Sequence, residues 1–529
     1  MPKILTFVEA AELVPDGAVL STCGIGAINH SMKFDFALEE RFQKEDHPKG
    51  LTLLHAAGQS GYELHLGLNC YAHEGLLSRL IGGHIDTARE IVRLALEKGA
   101  PKIYNLPQGQ IARLFRAIAA KEPGILTKVG IGTFIDPRVE GPGLTPDAGN
   151  GLVDVVTLNG EEYLFYKAIP IDVAVVRATA ADTKGNLTAE WEPAVTDMLA
   201  LAMAARNAGG LVIAEVQRLT EFGTLDPRRV VVPGALIDCI VVDEEQRMTP
   251  FEAYNPSYVG DARHPEPWVL AGRLREMSAG ITPPRGPIDT VIMRRAAFEL
   301  KKGAVVNVGL GIPEGVAEVA ANEGVFGGMT FTLESGPFGG IPCAGVSFGA
   351  AINPEAILPA AAMFDFYNGG GLDLAFMGFA EVDARGNVNA SKVKGRLIGA
   401  GGFIDITQKA KKVVFVGKFA DRAEYDVSSQ GLKKLKEGNP KFADCVAQVT
   451  FSADFARSIG QKVLYVTERA VFRLAEDGLE LVEIARGIDL ERDILEAIPF
   501  RVRVASPLRT MDARIFADGA LGLKEAFFG

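Results

Sequence analysis

The sequence lacks the features that mark nucleic-acid-binding, membrane or disulfide-stabilised proteins. Its net charge is −11 and it contains no dense run of Lys or Arg, which disfavours nucleic acid as a partner. Its apolar stretches are far shorter than the roughly 20 residues of a membrane-spanning helix. No basic segment followed by a long apolar run opens the chain. We therefore expect a soluble, unexported protein that meets neither membranes nor nucleic acid.

Cysteine and histidine are also scarce, which limits redox and metal chemistry. The five cysteines are odd in number and widely spaced, so a disulfide framework is disfavoured and a reducing cytoplasm fits. His65, Cys70 and His73 lie close in sequence, but a fourth ligand and a typical zinc spacing are missing. None of the seven histidines lies in a nucleophile motif. The sequence therefore predicts no metal site.

What the chain does contain is an internal repeat. Residues 171–176 (Ile-Asp-Val-Ala-Val-Val) recur 201 positions later as residues 372–377 (Leu-Asp-Leu-Ala-Phe-Met). The same offset aligns residues 182–186 with 383–387, as Asp-Thr-Lys-Gly-Asn and Asp-Ala-Arg-Gly-Asn. Many α/β proteins reuse common strand and turn patterns, but such reuse does not explain why both matches keep the same offset of 201 residues. The 529-residue chain should therefore consist of two related halves.

We place these halves at residues 1–245 and 288–529, with a connector at residues 246–287. The connector contains seven prolines, which favours extended chain over regular structure. It also contains Tyr258 and Trp268, which predict that it packs on a surface.

The pattern of both halves predicts the α/β fold class, with two related open domains built on parallel or mixed sheets. Residues 211–214 and 413–416 are apolar without alternation, which is typical of buried parallel strands. Residues 86–98 and 110–120 have the spacing of amphipathic helices. Because ligands of such folds bind at the carboxyl ends of strands, we expect the functional site there.

The first candidate site is the glycine loop of residues 308–315, Val-Gly-Leu-Gly-Ile-Pro-Glu-Gly. A dinucleotide fingerprint needs Gly-x-Gly-x-x-Gly, and here the third glycine comes one residue late. A nicotinamide cofactor is therefore disfavoured. We expect Gly309 and Gly311 to hold part of a ligand through backbone N–H groups.

The second candidate is Glu334, at the end of the β-prone run Thr330–Leu333 and directly before a segment with three glycines. Glu is disfavoured in a buried strand, and neighbouring glycines let a bulky substrate approach closely. These features favour a functional carboxylate. A solvated Glu at a strand–loop junction is the alternative.

The third candidate is the segment 394–403, in which three of the four residues 399–402 are glycine. Free backbone N–H groups in such a loop are suited to stabilising an oxyanion. The nearby Lys392, Lys394 and Arg396 are suited to meeting phosphates. A surface loop with solvated cations is the alternative.

At Glu334-Ser335-Gly336 the sequence resembles a class I CoA-transferase, most closely the fused, single-chain acetate or propionate CoA-transferases. The resemblance covers nearly the whole chain. Residues 24–26, 107–109 and 129–138 resemble the family's α-subunit region, and residues 309–313, 334–336 and 399–403 resemble its β-subunit region.

The resemblance implies roles for individual residues. It maps the family's nucleophilic Glu onto Glu334, its supporting Gln onto Gln108 and its oxyanion glycine onto Gly402. Gly309, Gly311, Gly401 and Phe403 fall in the matching glycine loops and are expected to contact CoA. Leu333 and Ser335 depart from the Ser and Asn of the 3-ketoacid branch, and Phe403 stands where the family has Ala.

The implied activity is ping-pong transfer of CoA from a short-chain acyl-CoA to a carboxylate such as acetate, through a glutamyl-CoA thioester, with no prosthetic group. A Glu with an ordinary pKa of about 4.3 is ionised at neutral pH, so no histidine base is required. We expect the site at the interface of the two domains, and a homo-oligomer. Two alternatives share these residues: an acyl-CoA hydrolase that uses the same Glu, and a non-catalytic CoA-binding protein.

Overall fold

Two ten-stranded sheets form the framework of the protein in a computed structural model, which describes residues 1–60, 66–278 and 285–528. The strands of the first sheet come from residues 3–242, and those of the second come from residues 305–510. The α/β class predicted from the sequence is confirmed.

The strands of the first half belong to the large sheet or to a small antiparallel sheet made by β6, β7 and β8. In chain order they are β1 (Lys3–Leu5), β2 (Val19–Thr22), β3 (Leu51–His55), β4 (Leu77–Gly82), β5 (Lys102–Asn105), β6 (Gly124–Thr127), β7 (Val153–Leu158), β8 (Glu161–Lys167), β9 (Val173–Asp182), β10 (Leu187–Thr188), β11 (Leu211–Thr220), β12 (Val230–Val232) and β13 (Cys239–Val242).

The strands of the second half form the other large sheet and several two- or three-stranded ribbons. They are β14 (Val305–Val308), β15 (Thr330–Thr332), β16 (Pro337–Phe338), β17 (Ile341–Pro342), β18 (Ala351–Ile352), β19 (Ala356–Ile357), β20 (Leu374–Gly378), β21 (Glu381–Asp383), β22 (Val388–Asn389), β23 (Lys392–Val393), β24 (Arg396–Leu397), β25 (Lys412–Val416), β26 (Ala420–Asp421), β27 (Glu424–Ser428), β28 (Gly431–Lys436), β29 (Asn439–Pro440), β30 (Phe442–Ala443), β31 (Lys462–Val466), β32 (Ala470–Ala475), β33 (Gly478–Ile484) and β34 (Arg503–Thr510).

Helices connect the strands of both sheets. They are α1 (Phe7–Glu12), α2 (Met32–Glu45), α3 (Arg89–Lys98), α4 (Gln108–Ala119), α5 (Met198–Ala208), α6 (Pro267–Met277), α7 (Pro287–Ala297), α8 (Gly315–Asn322), α9 (Ala360–Asn368), α10 (Phe403–Lys409), α11 (Ala453–Ser458) and α12 (Leu523–Phe528). The two amphipathic helices and the two buried parallel strands predicted from the sequence are present as α3, α4, β11 and β25.

Both sheets contain the same central arrangement of parallel strands. The order β3-β2-β9-β11-β13 in the first sheet matches β15-β14-β20-β25-β31 in the second, strand for strand. Along β9, Val173 and Val175 belong to one apolar cluster while Ala174 and Val176 belong to another. Both faces of this sheet are therefore covered, which explains why its strands read as continuous apolar runs.

The repeat extends to individual hydrogen bonds. Asp172 accepts a hydrogen bond from the N–H of Val19 at 2.8 Å, and Asp373 accepts one from Val305 at 2.9 Å. Each aspartate thus ties the start of one strand to the start of its neighbour. The carboxylates of Asp182 and Asp383 likewise close equivalent turns by accepting from backbone N–H groups two and four residues later. The fixed offset seen in the sequence therefore reflects equivalent positions in two related sheets.

The segment that joins the two sheets differs from the expectation of extended chain. It contains the eleven-residue helix α6, with Pro267 in its first turn. Proline is tolerated there because the first N–H groups of a helix have no intrahelical partner. Tyr258 is fully buried, and the ring of Trp268 packs edge-on against that of Phe326, with 4.9 Å between the ring centroids. The connector therefore packs on the protein, as predicted. Two of its prolines, Pro283 and Pro284, lie outside the described residues.

Candidate active site

A cavity of about 570 Å³ opens between loops that follow the parallel strands of both sheets. From the first sheet, its wall includes residues 25–27, 57–58, His84 and Gln108, which come after β2, β3, β4 and β5. From the second sheet, it includes residues 307–310, Glu334, 377–381 and 398–403. The carboxyl ends of the strands therefore face one shared cavity, as expected for an α/β fold.

Glu334 projects into this cavity from a tight turn just after β15. The N–H of Gly336 donates to the carbonyl of Leu333 at 3.1 Å, and the N–H of Leu333 donates to Pro337 at 3.0 Å. The φ angle of Gly336 is +135°, and a Cβ there would lie 2.2 Å from the carbonyl oxygen of Leu358. Only glycine fits this position, so the turn that carries Glu334 is firmly fixed.

The neighbouring side chain fixes the turn from the other side. Ser335 is buried, and its hydroxyl donates to the carbonyl of Gly349 at 2.6 Å. Within this turn, Glu334 is the residue that lines the cavity. The difference from the sequence prediction is small: β15 ends at Thr332, and Glu334 lies two residues beyond it.

The carboxylate of Glu334 receives no hydrogen bond from the side chain of any other described residue. Burial raises the pKa of Glu334, and only its own backbone N–H opposes that shift. The other two acids on the cavity wall are paired. Glu381 accepts from Asn389 and from the N–H of Ala447, both at 2.8 Å, and Asp421 pairs with Lys394 at 2.9 Å. Glu334 is therefore the unpaired carboxylate among the described residues of this wall.

Gln108 reaches the same cavity from the first half of the chain. It begins α4, and its backbone N–H donates to the carbonyl of Gly401 at 2.9 Å. Gly401 has a φ of +53°, and a Cβ there would lie 4.0 Å from Oε1 of Gln108. The amide of Gln108 therefore lies beside the glycine loop of residues 399–402.

The third candidate segment, residues 394–403, supplies the residues that Gln108 contacts. Gly402 caps α10, and its N–H donates to no acceptor among the described residues. Gly402, Gly401 and Phe403 all line the cavity with Glu334 and Gln108. The structure thus brings together residues that are far apart in the sequence, from both halves of the chain.

Asp405 joins helix α10, which contains it, to the start of helix α4. Its carboxylate accepts from the N–H of Gly109 at 2.9 Å, from the amide of Gln110 and from Asn368 at 3.3 Å. Burial nevertheless raises the pKa of Asp405 to about 6. Because Gly109 follows Gln108 and Asp405 lies in α10, this carboxylate fixes the position of Gln108 relative to Gly402.

Only one of the two glycines expected in the first glycine loop lies on the cavity wall. Gly309 lines the cavity and donates its N–H to the carbonyl of Phe376 at 2.8 Å. Gly311 is exposed and is not part of the wall, and its N–H donates to the carboxylate of Glu314 at 3.1 Å. The helix that follows begins at Gly315, two residues after the proline of the loop.

Two of the cations expected to meet phosphates, Lys394 and Arg396, form ion pairs with carboxylates of the protein. Arg396 forms a two-pronged ion pair with Asp86 of the first half. It therefore joins the two halves in this structure, and its guanidinium is occupied. Lys394 lines the cavity and pairs with Asp421, which also lies 3.6 Å from Lys441, another residue of the wall.

Two further observations concern metal binding and membrane spans. The described residues contain no group of three or more His, Cys, Asp or Glu side chains arranged to hold a metal. His65 lies outside the described residues, and His73 bonds to Glu39 at 2.6 Å. No helix among the described residues has the length and apolar character needed to span a bilayer.

Residues 345–349 are Gly-Val-Ser-Phe-Gly, which matches the Gly-x-Ser-x-Gly pattern of serine hydrolases. The hydrolase motif requires a sharp turn from a strand into a helix. Here Ser347 ends a short 3-10 turn and the strand β18 follows, while its buried hydroxyl bonds to none of the described residues. The pattern is therefore not a nucleophile elbow.

Sequence reasoning missed several cavity residues. Phe338 is close to Glu334 in sequence, but its ring packs against that of Phe366, with 5.4 Å between the ring centroids, and it is not on the wall. The described aromatic residues of the wall are Phe348, Phe379 and Phe403, and Ile25 joins them from the first half. Asn307 was overlooked as well, although a polar residue inside the apolar run of β14 was a visible signal.

Comparisons with known proteins place the whole chain beside coenzyme A transferases. The family model described as Coenzyme A transferase matches residues 4–243. The chain is 40% identical to the caffeate CoA-transferase of Acetobacterium woodii over 99% of both chains. It is 39% identical to the acetate CoA-transferase YdiF of Escherichia coli K12, over 98% of this chain and 96% of that protein. A crystal structure of the YdiF acyl-CoA transferase from Escherichia coli O157:H7, solved as a thioester complex with CoA, superposes with a TM-score of 0.91 at 37% identity, covering 98% of this chain and 97% of that one.

Proposed function

Because the chain belongs to the coenzyme A transferase family, we propose that it moves CoA from a short-chain acyl-CoA to a free carboxylate through a thioester on Glu334. CoA transfer is the activity of the family, and the fused single-chain arrangement fits its relatives. The observation that carries the assignment to Glu334 is its isolation. It is the unpaired carboxylate of the described cavity wall, whereas Glu381 and Asp421 are held by other groups.

The proposed reaction has two half-reactions. The Glu334 carboxylate attacks the carbonyl carbon of the acyl-CoA, the bond to sulfur breaks, and an acyl-glutamyl anhydride and CoA thiolate result. The thiolate then attacks the glutamyl carbonyl, which releases the first carboxylate and leaves a glutamyl-CoA thioester. An acceptor carboxylate reverses these steps, so that no net proton is gained or lost.

Burial suits Glu334 to this role. A carboxylate is a weak nucleophile, and the raised pKa of Glu334 means that its charged form is less stabilised by surroundings and more basic. Gln108 and the N–H of Gly402 would stabilise the oxyanions of the tetrahedral intermediates. Gly309, Gly401 and Phe403 would contact the CoA arm from the same wall. Gly311 would act only through the shape of its loop, since its N–H is already bonded to Glu314.

The central test is to trap the thioester. Incubation with acyl-CoA and no acceptor should attach CoA to the peptide that contains Glu334, and borohydride should reduce that thioester to an alcohol of lower mass. Glu334→Gln, which keeps the shape of the side chain, should fold normally, form no adduct and lose transfer. Glu334→Asp should be strongly impaired because its carboxylate is one methylene short. Transfer by Glu334→Gln that depends on the acceptor, or an adduct on another residue, would contradict the proposal.

The pH dependence should report the same group. Only the ionised carboxylate attacks, so kcat/KM should fall as the pH is lowered through the pKa of Glu334. Because burial raises that pKa, the acid limb should lie above the ordinary value of about 4.3. A limb at or below the ordinary value would show that Glu334 is not the titrating nucleophile.

Dependence on the acceptor separates transfer from hydrolysis. An acyl-CoA hydrolase with the same Glu would release free CoA without any carboxylate present. We expect CoA release without acceptor to be far slower than transfer to acetate, because the cavity holds the thioester away from bulk water.

We propose acetyl, propionyl and butyryl groups as the substrates. The apolar side chains Ile25, Ala27, Ala57 and Phe348 support this choice, since they offer no cation to a second carboxylate. One relative is named for the aromatic acid caffeate, so caffeoyl-CoA belongs in the panel of donors together with succinyl-CoA. A clear preference for either of those two would overturn the assignment.

We also propose that residues 1–245 and 288–529 are the two domains, joined by residues 246–287. By analogy with the family, we propose that the protein works as a cytoplasmic homo-oligomer. Light scattering of the purified protein would test the oligomeric state.

A further inference from the structure

Asn307 is a polar residue at the buried end of an otherwise apolar strand, β14, and it lines the cavity. The residue is only 1% exposed. The amide nitrogen donates to the carbonyl oxygen of Thr332 at 3.1 Å and lies 3.5 Å from the hydroxyl of Tyr367. The amide oxygen is buried and has no hydrogen-bond partner among the residues that the structure describes.

This orientation of the amide is fixed by its surroundings. Exchanging nitrogen and oxygen would place the amide oxygen against the carbonyl oxygen of Thr332, and two acceptors repel each other. The hydroxyl of Tyr367 is already directed to the side chain of Thr332 at 2.9 Å. The oxygen of Asn307 must therefore be the atom left without a partner, at a cost of about 1–3 kcal/mol if nothing bonds to it.

The internal repeat shows that the structural role does not need an asparagine. In the first sheet Ser21 pairs with Leu54 in register, just as Asn307 pairs with Thr332 in the second. The hydroxyl of Ser21 donates to the carbonyl of Leu54 at 2.8 Å, so a single donor suffices to join these two strands. Asn307 makes the equivalent bond and adds a second polar atom, a buried acceptor on a residue of the cavity wall, which Ser21 does not have there. The extra acceptor therefore points to a ligand.

We propose that the amide oxygen of Asn307 accepts a hydrogen bond from the amide N–H of CoA that lies nearest the sulfur. This inference rests on the proposed function. The reacting carboxylate and the acyl thioester carry no donor, whereas the CoA arm has an amide N–H two carbons from its sulfur. Asn307 is opposite Thr332, and Glu334 follows Thr332 by two residues, so a CoA bonded to Glu334 brings that N–H past Asn307. Asn307 then recognises the arm of CoA and directs its sulfur to Glu334.

The test compares two donors in three proteins. One donor is acetyl-CoA, and the other is its full-length analogue in which an ester oxygen replaces that single N–H. The proteins are the wild type, Asn307→Ser and Asn307→Leu. Asn307→Ser copies Ser21 and keeps the bond to Thr332, so it should unfold at nearly the wild-type temperature.

In the wild type the analogue should have a kcat/KM roughly tenfold lower, because the oxygen of Asn307 then faces another acceptor. In both variants the two donors should agree within about twofold. A wild type that treats the donors alike, or an Asn307→Ser protein that keeps the tenfold preference, would overturn the inference. If the wild type transferred CoA from neither donor to acetate, the proposed function itself would have failed.

Discussion

The contribution of Gln108 provides the sharpest test of how the two halves share one site. The residue is 5% exposed and lines the cavity, yet its side chain makes no hydrogen bond with any described residue. Its backbone N–H, which holds Gly401, does not depend on the side chain. Substitutions at this position should therefore affect the reaction far more than the fold.

The expected magnitude follows from the proposed role as an oxyanion donor. Removing one such donor typically lowers turnover by about 10²–10³-fold, which corresponds to about 2.7–4 kcal/mol. Gln108→Ala should show a loss of this size in kcat, with KM for the acyl-CoA changed by less than about threefold. The free energy of unfolding should fall by only about 1 kcal/mol, since alanine is a good helix former and only a few apolar contacts are lost.

The Gln108→Glu variant tests whether the hydrogen-bond donor of Gln108, and not the size of its side chain, is what the reaction requires. It preserves the shape of the side chain but replaces the donor with an acceptor that repels the oxyanion, so its kcat should be lower than that of Gln108→Ala. Single-turnover kinetics of thioester formation, read by mass spectrometry of the Glu334 peptide, would measure the effect on the first half-reaction. The reasoning is refuted if Gln108→Ala turns over like the wild type, or if Gln108→Glu is the more active of the two.

Two further predictions concern a buried carboxyl that takes no part in the reaction and the glycine that shapes the turn of Glu334. Burial raises the pKa of Asp197 to about 7, and one of its oxygens has no partner in the described part of the chain. The folded state therefore binds a proton more tightly than the unfolded state, and this carboxyl contributes stability at low pH that is lost as the pH rises from about 4 to about 7, up to about 4 kcal/mol. Asp197→Asn should consequently stabilise the protein more at pH 8 than at pH 5 in urea titrations, and an equal gain at both pH values would refute this. Gly336→Ala should lower transfer by about 10²-fold, because the new Cβ would displace the turn that carries Glu334. The control is Gly460→Ala, which has a φ of +65° but open space around its Cβ position, and it should lose stability without losing transfer.

The sequence alone was sufficient for the features that depend on local pattern. Continuous apolar runs identified the parallel strands, because both faces of those strands are buried. The fixed offset of 201 residues identified the related sheets, since each half needs the same aspartates to tie its strands together. The carboxylate next to three glycines marked Glu334, because Gly336 must adopt a backbone conformation that other residues avoid.

Other features were decided by contacts between distant parts of the chain. Phe338 and Phe348 are equally apolar in sequence, and only the packing of their loops places one against Phe366 and the other on the cavity wall. The sequence around Arg396 shows no partner for its charge, but the folding of the first half brings Asp86 close enough to form an ion pair with it.

The environment of the proposed nucleophile also required the tertiary structure. Local sequence placed a carboxylate at the end of a strand, but it did not reveal that Glu381 and Asp421 are paired while Glu334 is not. Nor did it reveal that Gln108 and Gly402 meet through Asp405. Local pattern determines which backbone turns form, whereas burial and charge at a site depend on which distant loops pack around it, and that is settled only when the two sheets come together.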